Sequence, residues 1–371
     1  MLSSPYGDGK VFGQPKGVKS IGIVEVHTDS GLIGIGETYS AIYTPELIPE
    51  IVNLYSRLLT GSDPLDNQLI NQKAFIPFIG KNGLLKSVFG AIDIACWDIK
   101  SKATKKPLWK LINEEKYNST LKVYASGGSA IYTPNEIITD TNKAIMLGFD
   151  SYKMRVGINS WDQDLKRIEA ARNTLNKNNL MIDAIMGTIN PQWTTEIAIE
   201  RINDIFDFNP YWLEEPLTSD NLNGYTQLTK LNKVKIACGE SLTNWLDFES
   251  FITNNAINIL QVDATHCGGI TTAIKIINLA EKFKIPVAMH IWGSTIALLA
   301  NANLALAFDT VKWFEIPLVE LNLSNDIYTN PYKISENKIQ FNLSESDGFD
   351  IEISKKNKLK YSFIQESGYK I

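Results

Sequence analysis

The chain has 371 residues, 44% of them hydrophobic, and a formal net charge of −5 with acidic and basic residues interspersed along its length. That length supports a sizeable core and favours one large domain with a smaller companion. No basic stripe and no apolar run of the roughly 18 to 20 residues that spans a bilayer is present, so neither nucleic acid nor a membrane is an expected partner. Three widely separated cysteines, Cys96, Cys238 and Cys267, fit a reducing cytoplasm rather than a disulfide framework, and the polar start "MLSSPYGDGK" has no signal-segment pattern.

The first 115 or so residues read as strands followed by helices. "SIGIVEVHTDSGLIGIGE" alternates apolar and polar residues around a turn at "DSG", the pattern of a β-hairpin. "TPELIPEIVNLYSRLLTG" and "SVFGAIDIACWDIKSKATKKPLWKLI" then show helical periodicity, which makes this part an α+β module. "GDGKVFG" has G-x-G spacing but follows no strand and opens no helix, which argues against a dinucleotide site. His27 falls in the alternating hairpin strand and reads as structural.

From about residue 120 short apolar strands alternate with amphipathic helices. The strand-like runs are "LKVYASGG", "SYKMRVG", "LMIDAIM", "YWLEEPL", "KIACGES", "INILQVDA", "IPVAMHIWG" and "VKWFEIP". Eight strand–helix units over about 200 residues predict an α/β fold, a (β/α)8 barrel. The expected division is an α+β capping domain over 1–118, the barrel over 119–320, and a polar tail over 321–371 that completes the cap. Two strand signals in the tail, "KIQFNL" and "FDIEIS", suggest that it folds back on the first module.

The strand ends carry the chemistry. In such a barrel a polar residue at the C-terminal end of a strand faces the mouth. The second strand ends in Lys153 and Arg155, the third in Asp183, the fourth in Glu214 and Glu215, and the fifth in Glu240. Asp263, His290 and Glu315 end the sixth, seventh and eighth. From Lys153 onward, successive strand ends lie 23 to 31 residues apart. Any one of these would pass as a helix cap or a solvated edge, but seven in succession inside apolar runs would not, because buried charges must be paired or bound to a metal. Carboxylates on adjacent strands form an oxygen cage suited to Mg²⁺, with no Cys or His cluster to suggest a softer ion. His290 and Asp263, on neighbouring strands, suit a dyad in which the carboxylate orients the imidazole. His266 lies near the mouth as a further contact, and Ser126, ending the first strand, is placed to hydrogen-bond Lys153.

Taken together, the "GLIGIGE" turn, "AIYTP", "AIDIACWDIKSK", the K-x-R of "YKMRV", Asp183, "WLEEPL", "GES", "QVDATHCGGIT", "MHIWGS" and "FEIP" resemble the enolase superfamily, in its mandelate-racemase-like group. The match runs in order over nearly the whole chain. The resemblance implies Asp183, Glu214 and Glu240 as Mg²⁺ ligands, with Glu215 beside them rather than among them. It implies Lys153 as the partner of a substrate carboxylate, His290 with Asp263 as the acid/base pair, and Glu315 as hydrogen-bond donor to the developing enediolate. Tyr43 of "AIYTP" and the segment "SSPYGDGKVFGQPKG" resemble loops that close over substrate. A small-molecule sugar acid substrate and a homo-oligomer are implied as well.

Three departures qualify the likeness. Arg155 stands where many relatives carry a second lysine, and an arginine, always protonated, does not serve as a base; it can still bind a carboxylate or hydroxyl. Ile185 replaces the Asn of a common D-x-N. The chain also begins almost at the capping loop, so the expectation is either that the cap sheet lacks an edge strand or that Met1 is not the natural start. One-base chemistry from the His290 side then favours dehydration of an aldonic acid to a 2-keto-3-deoxy acid. The alternatives are a racemase or epimerase of a 2-hydroxy acid, a cycloisomerase (against which "MHIWG" on the seventh strand argues), and a catalytically inactive sugar-acid-binding barrel.

Overall fold

The computed structural model describes residues 1–7, 11–119, 121–335, 338–345 and 348–370. Strands β1 (Leu2–Pro5), β2 (Val18–His27) and β3 (Ile33–Thr38) form an antiparallel sheet. The expected hairpin is therefore present, with Gly31 at φ +86° in its turn. The expectation of a missing edge strand is corrected: the "LSSP" stretch is itself that strand, because its side chains Leu2 to Ser4 are buried and its backbone pairs with Val18–Ile21. Sheet and helix Gly83–Thr104 meet closely. A Cβ on Gly36 would lie 1.9 Å from the carbonyl oxygen of Ala91, so the glycines of "GLIGIGE" serve this packing as well as the turn.

Strands β4 (Lys122–Ser126), β5 (Ser151–Arg155), β6 (Asn179–Asp183), β7 (Trp212–Glu214), β8 (Ile236–Cys238), β9 (Ile259–Val262), β10 (Val287–Met289) and β11 (Val311–Pro317) pair in parallel in that order. Pairing of β11 with β4 closes the barrel. A helix lies between each strand and the next. The helix Pro134–Met146 shows how the sequence starts one: Thr133 and Glu136 form a reciprocal capping box and Pro134 supplies the fixed φ of the first turn.

Alternation along the strands builds a floor and then the site. Tyr124, Met181, Trp212, Ala237, Ile259, Ala288 and Trp313 pack as one buried layer inside the barrel. Two residues further along five of these strands come Ser126, Asp183, Glu214, His290 and Glu315, on the same face because side chains repeat with period two. The floor also contacts the site directly: Trp212 Nε1 donates to Glu214 Oε2 at 3.0 Å.

The tail departs in part from expectation. β12 (Tyr332–Ser335) and β13 (Lys338–Phe341) form a hairpin whose Lys338 pairs with Lys122 of β4, at the start of a barrel strand rather than on the cap sheet. "FDIEIS" is not a strand, although Phe349, Ile351 and Ile353 are buried. The return to the first module is carried by Asp98, which accepts from Ile35 N at 2.9 Å and Phe349 N at 2.8 Å, and by Ser3 N, which donates to Tyr361 O at 2.9 Å. Among the described residues no helix is long and apolar enough to cross a membrane.

Candidate active site

Arg155, Asp183 and Glu214 are register partners on β5, β6 and β7, so their side chains meet at one level of the barrel. Glu240 follows β8 after Gly239, whose φ of +137° and 2.2 Å approach of a hypothetical Cβ to Gln261 O leave room for no other residue. Asp183, Glu214 and Glu240 each offer an oxygen, all within 4.8 Å of one another. Glu215, at φ +38°, turns away and accepts from Ser241 Oγ at 2.6 Å and Ser241 N at 3.2 Å.

Cations surround this trio. Lys153 Nζ, fully buried, lies 2.6 Å from Glu214 Oε1, 3.0 Å from Glu315 Oε1 and 3.9 Å from Asp183 Oδ2. Arg155 Nε is 3.7 Å from Asp183 Oδ2, while Nη1 donates to Gly127 O at 2.8 Å and Nη2 to Ser126 Oγ at 3.1 Å. Ser126 thus faces Arg155 rather than Lys153, because the longer guanidinium reaches across to the end of β4. Lys153 and Arg155, two apart on β5, project into one space, and what they meet is carboxylate.

His290 stands opposite. Its Nδ1 is 3.0 Å from Asp263 Oδ2, and its Nε2 lies 3.2 Å from Glu240 Oε2 and 4.0 Å from Glu315 Oε2. Asp263 Oδ1 is held by Thr265 N at 2.9 Å, Thr265 Oγ1 at 2.7 Å and Asn301 Nδ2 at 3.1 Å. Burial pushes Asp263 up, but the His290 hydrogen bond and charge, with those from Thr265 and Asn301, carry it below the usual carboxylate range. For His290 burial acts to lower the value and the Glu315 and Asp263 carboxylates raise it above the ordinary imidazole. Burial raises Glu315 too, and Lys153, His290 and Arg155 overcome this to hold it at about 2, fully ionised. Its Oε2 accepts from Ile291 N at 3.0 Å.

Charge balance tests the fit to a cation. Four buried carboxylates (Asp183, Glu214, Asp263 and Glu315) and the partly buried Glu240 face two permanent cations and one imidazole. Burial, followed by the Glu214 charge, pushes Asp183 up to about 7 and Glu240 well above its usual range. Such crowding is what a divalent ion relieves. Mg²⁺–oxygen bonds of about 2.1 Å put two ligands of one ion at most about 4.2 Å apart, so a small inward movement of the trio suffices.

Aromatic rings roof the site. Tyr39 lies 5.7 Å from the His290 ring and 5.8 Å from Tyr43, and Tyr43 lies 5.4 Å from Tyr369. Tyr43 and Arg155 line the cavity with Val11, Phe12 and Trp292, so the segment following residues 8–10, which themselves lie outside the described residues, does face it. Tyr6, from the same segment, is buried and packs edge-on to Trp292 at 5.7 Å. His266 does not line the cavity; it packs on Tyr39 at 4.8 Å, and burial drives it down to about 4. His27 is largely exposed, 3.5 Å from Glu25. Sequence reasoning assigned no role to Tyr39, Trp292 or Tyr369. "HIWGS" and "GETYS" contained the first two, but Tyr369 arrives from the far end of the chain and left no local signal.

Residues 15–113 match the mandelate racemase/muconate lactonizing enzyme N-terminal domain and residues 137–357 the enolase C-terminal domain-like family. The chain belongs to the mandelate racemase/muconate lactonizing enzyme family of the enolase superfamily. Similar family members include L-talarate/galactarate dehydratase of Salmonella typhimurium, 30% identical over 85% of this chain and 78% of that protein. Another is 3,6-anhydro-alpha-L-galactonate cycloisomerase of Streptomyces coelicolor, 29% identical over 72% of this chain and 73% of its relative. A solved structure of an L-talarate/galactarate dehydratase mutant, liganded with Mg and L-glucarate, aligns with a TM-score of 0.81 at 27% identity over 93% of this chain and 84% of that one. The family thus includes sugar acid dehydratases and a magnesium-bound member, and this chain places an acidic trio in its barrel mouth.

Proposed function

We propose that the chain is a Mg²⁺-dependent carbon–oxygen lyase that removes the proton α to the carboxylate of a sugar acid and expels the oxygen at C3, giving a 2-keto-3-deoxy acid. The observation that supports it most is the opposition of two groups: the Asp183–Glu214–Glu240 trio with Lys153 and Arg155 on one side, and His290 with Asp263 on the other. The trio would hold Mg²⁺, which when bound supplies positive charge against the carboxylate as negative charge builds on it.

The chain's own residues do the rest. Lys153 and Arg155 set positive charge where the substrate carboxylate docks. Asp263 fixes the His290 proton at Nδ1 and leaves Nε2 to take the C2 proton and return a proton to the departing oxygen. Glu315 can donate to the enediolate only when it carries a proton; ionised, it steadies Lys153 and His290. Burial would lower Arg155, yet Asp183 and Glu315 raise it further, so it stays a cation and offers no second base. This disfavours two-base racemisation and supports elimination. If the C3 oxygen is a hydroxyl, elimination releases water, the dehydratase reading; if it belongs to an ether ring, the same step opens the ring and the product is an isomer of the substrate.

A panel of sugar acids assayed for 2-keto-3-deoxy product, with Mg²⁺ and after exhaustive chelation, tests the reading. Mg²⁺-dependent product is expected. Binding without turnover would favour an inactive sugar-acid-binding barrel, and 2-epimer formation without keto product would favour a racemase.

A further inference from the structure

The roof of the site is tied down by a segment from the far end of the sequence. Lys16 Nζ donates to Gln365 O at 2.9 Å and Glu366 N to Glu46 Oε1 at 2.9 Å. Tyr369 N donates to Ile42 O at 2.6 Å and Lys370 N to Gly13 O at 2.9 Å, while Ser367 Oγ lies 2.6 Å from Ser20 Oγ. Residues 365–370 are thus fastened to both cap loops that line the cavity, the one carrying Val11 and Phe12 and the one carrying Tyr43. Two glycines make the fit possible. A Cβ on Gly368 would lie 2.7 Å from Tyr43 O, and one on Gly13, at φ +76°, would lie 2.0 Å from Cζ of the Tyr369 ring. Packed edge-on against Phe12 at 6.3 Å and Tyr43 at 5.4 Å, the Tyr369 ring is held in place and lines the cavity.

A phenylalanine ring would close the roof equally well, so the hydroxyl of Tyr369 needs a use of its own. The charges of Arg155 and Asp183 reach it. Burial, followed by the neighbouring Tyr43, pushes its pKa above that of an ordinary phenol, so it keeps its proton and can donate. The trio and Lys153 stand at the strand ends, where the substrate carboxylate docks in the reading above, whereas Tyr369 stands on the cap side. What reaches the roof is the part of the substrate beyond the reacting C2 and C3. Resting on that sugar-acid reading, we propose that Tyr369 is a substrate-binding residue that sets specificity: its hydroxyl donates a hydrogen bond to a substrate oxygen beyond C3, and the strap of residues 365–370 fixes where that oxygen must lie.

The test compares two acids on the Mg²⁺-loaded protein: the sugar acid that binds most tightly in a panel, and 2,3-dihydroxybutanoate of the same C2 and C3 configuration, which has no oxygen beyond C3. Affinities are measured by calorimetry and keto product by mass spectrometry. Tyr369→Phe keeps the ring and removes only the hydroxyl. It should weaken the sugar acid about tenfold, the scale of one hydrogen bond, and leave the shorter acid unchanged. Where product forms, the loss should fall in KM rather than kcat, because the bond is made away from the reacting carbons. Gly368→Ala keeps the hydroxyl but pushes the strap off Tyr43 O, and should show the same selective loss. Equal weakening of both acids by Tyr369→Phe, or of neither, would overturn the proposal, and an unaffected Gly368→Ala would overturn the part given to the strap. Selective loss of binding with no keto product from the wild type would overturn the elimination reading and leave this one standing. No acid bound by the wild type would overturn both.

Discussion

Glu240 sits just beyond its strand, with its carboxylate 3.2 Å from His290 Nε2 and within the acidic trio. Glu240→Gln keeps the shape and removes the charge. Mg²⁺ affinity, measured by calorimetry, is expected to fall at least about tenfold, the lower bound for losing even a partner that supports a metal ligand; unchanged affinity would remove Glu240 from the ion's surroundings. Arg155 makes a different prediction. Arg155→Lys introduces a group able to lose its proton, and NMR in D2O should then show exchange of the 2-epimer of the substrate, which the wild type leaves untouched. Equal exchange of both epimers by the wild type would defeat the one-base account. Ile185 shows how far a residue can be read from sequence. Its departure from D-x-N was visible, but its φ of +48° was not. A β-branched side chain in the left-handed region costs roughly 1–2 kcal/mol, which an Asn would partly avoid, so the chain keeps hydrocarbon here against a local backbone preference.

At the scale of elements, the cap grips the segment that follows His290, the proposed base. Lys19 of β2, buried, donates to Trp292 O and lies 4.4 Å from the Trp292 ring centroid. Glu37 of β3 accepts from Ser294 N at 2.9 Å, Ser294 Oγ at 2.5 Å and Ala297 N at 3.3 Å, at the start of helix Thr295–Ala307. Both contacts fall within seven residues after His290. Glu37→Ala leaves buried N–H groups without partners and should cost about 1–3 kcal/mol in denaturant unfolding. A loss confined to the surface scale of about half a kcal/mol would mean that the cap merely rests on the barrel. The barrel strands were legible because apolar runs recur with an ionisable residue at each end from the second strand onward, a pattern that needs no knowledge of contacts. The grip of Lys19 and Glu37 was not, since each reads locally as one polar position in an alternating strand. "FDIEIS" misled for a related reason: its alternation marks buried side chains, yet its backbone is tied to Asp98 rather than to a neighbouring strand.

Across the whole molecule, cap and barrel are joined by buried carboxylates, and this gives stability a pH dependence. Asp93 on helix Gly83–Thr104 accepts from Thr271 N at 2.9 Å, Thr271 Oγ1 at 2.6 Å and Asn71 Nδ2 at 2.9 Å, and burial still pushes it up to about 6. In the unfolded chain an aspartate releases its proton near pH 4. Between about pH 4 and 6 the folded state therefore binds more protons, so the contribution of Asp93 is complete below 4 and is lost as pH rises through 6. Melting curves at pH 4 and pH 7 should show a smaller fall for Asp93→Asn than for the wild type; an identical fall in both would assign the dependence elsewhere. The measurement that bears most directly on the account as a whole is exchange of the C2 proton by His290→Asn. With Mg²⁺ and a sugar acid that the wild type turns over, followed by NMR in D2O, the variant should lose both exchange and keto product by about 10²-fold or more while keeping its fold and Mg²⁺ affinity. Near-normal exchange would place the base elsewhere and contradict the reading of His290 and Asp263 together.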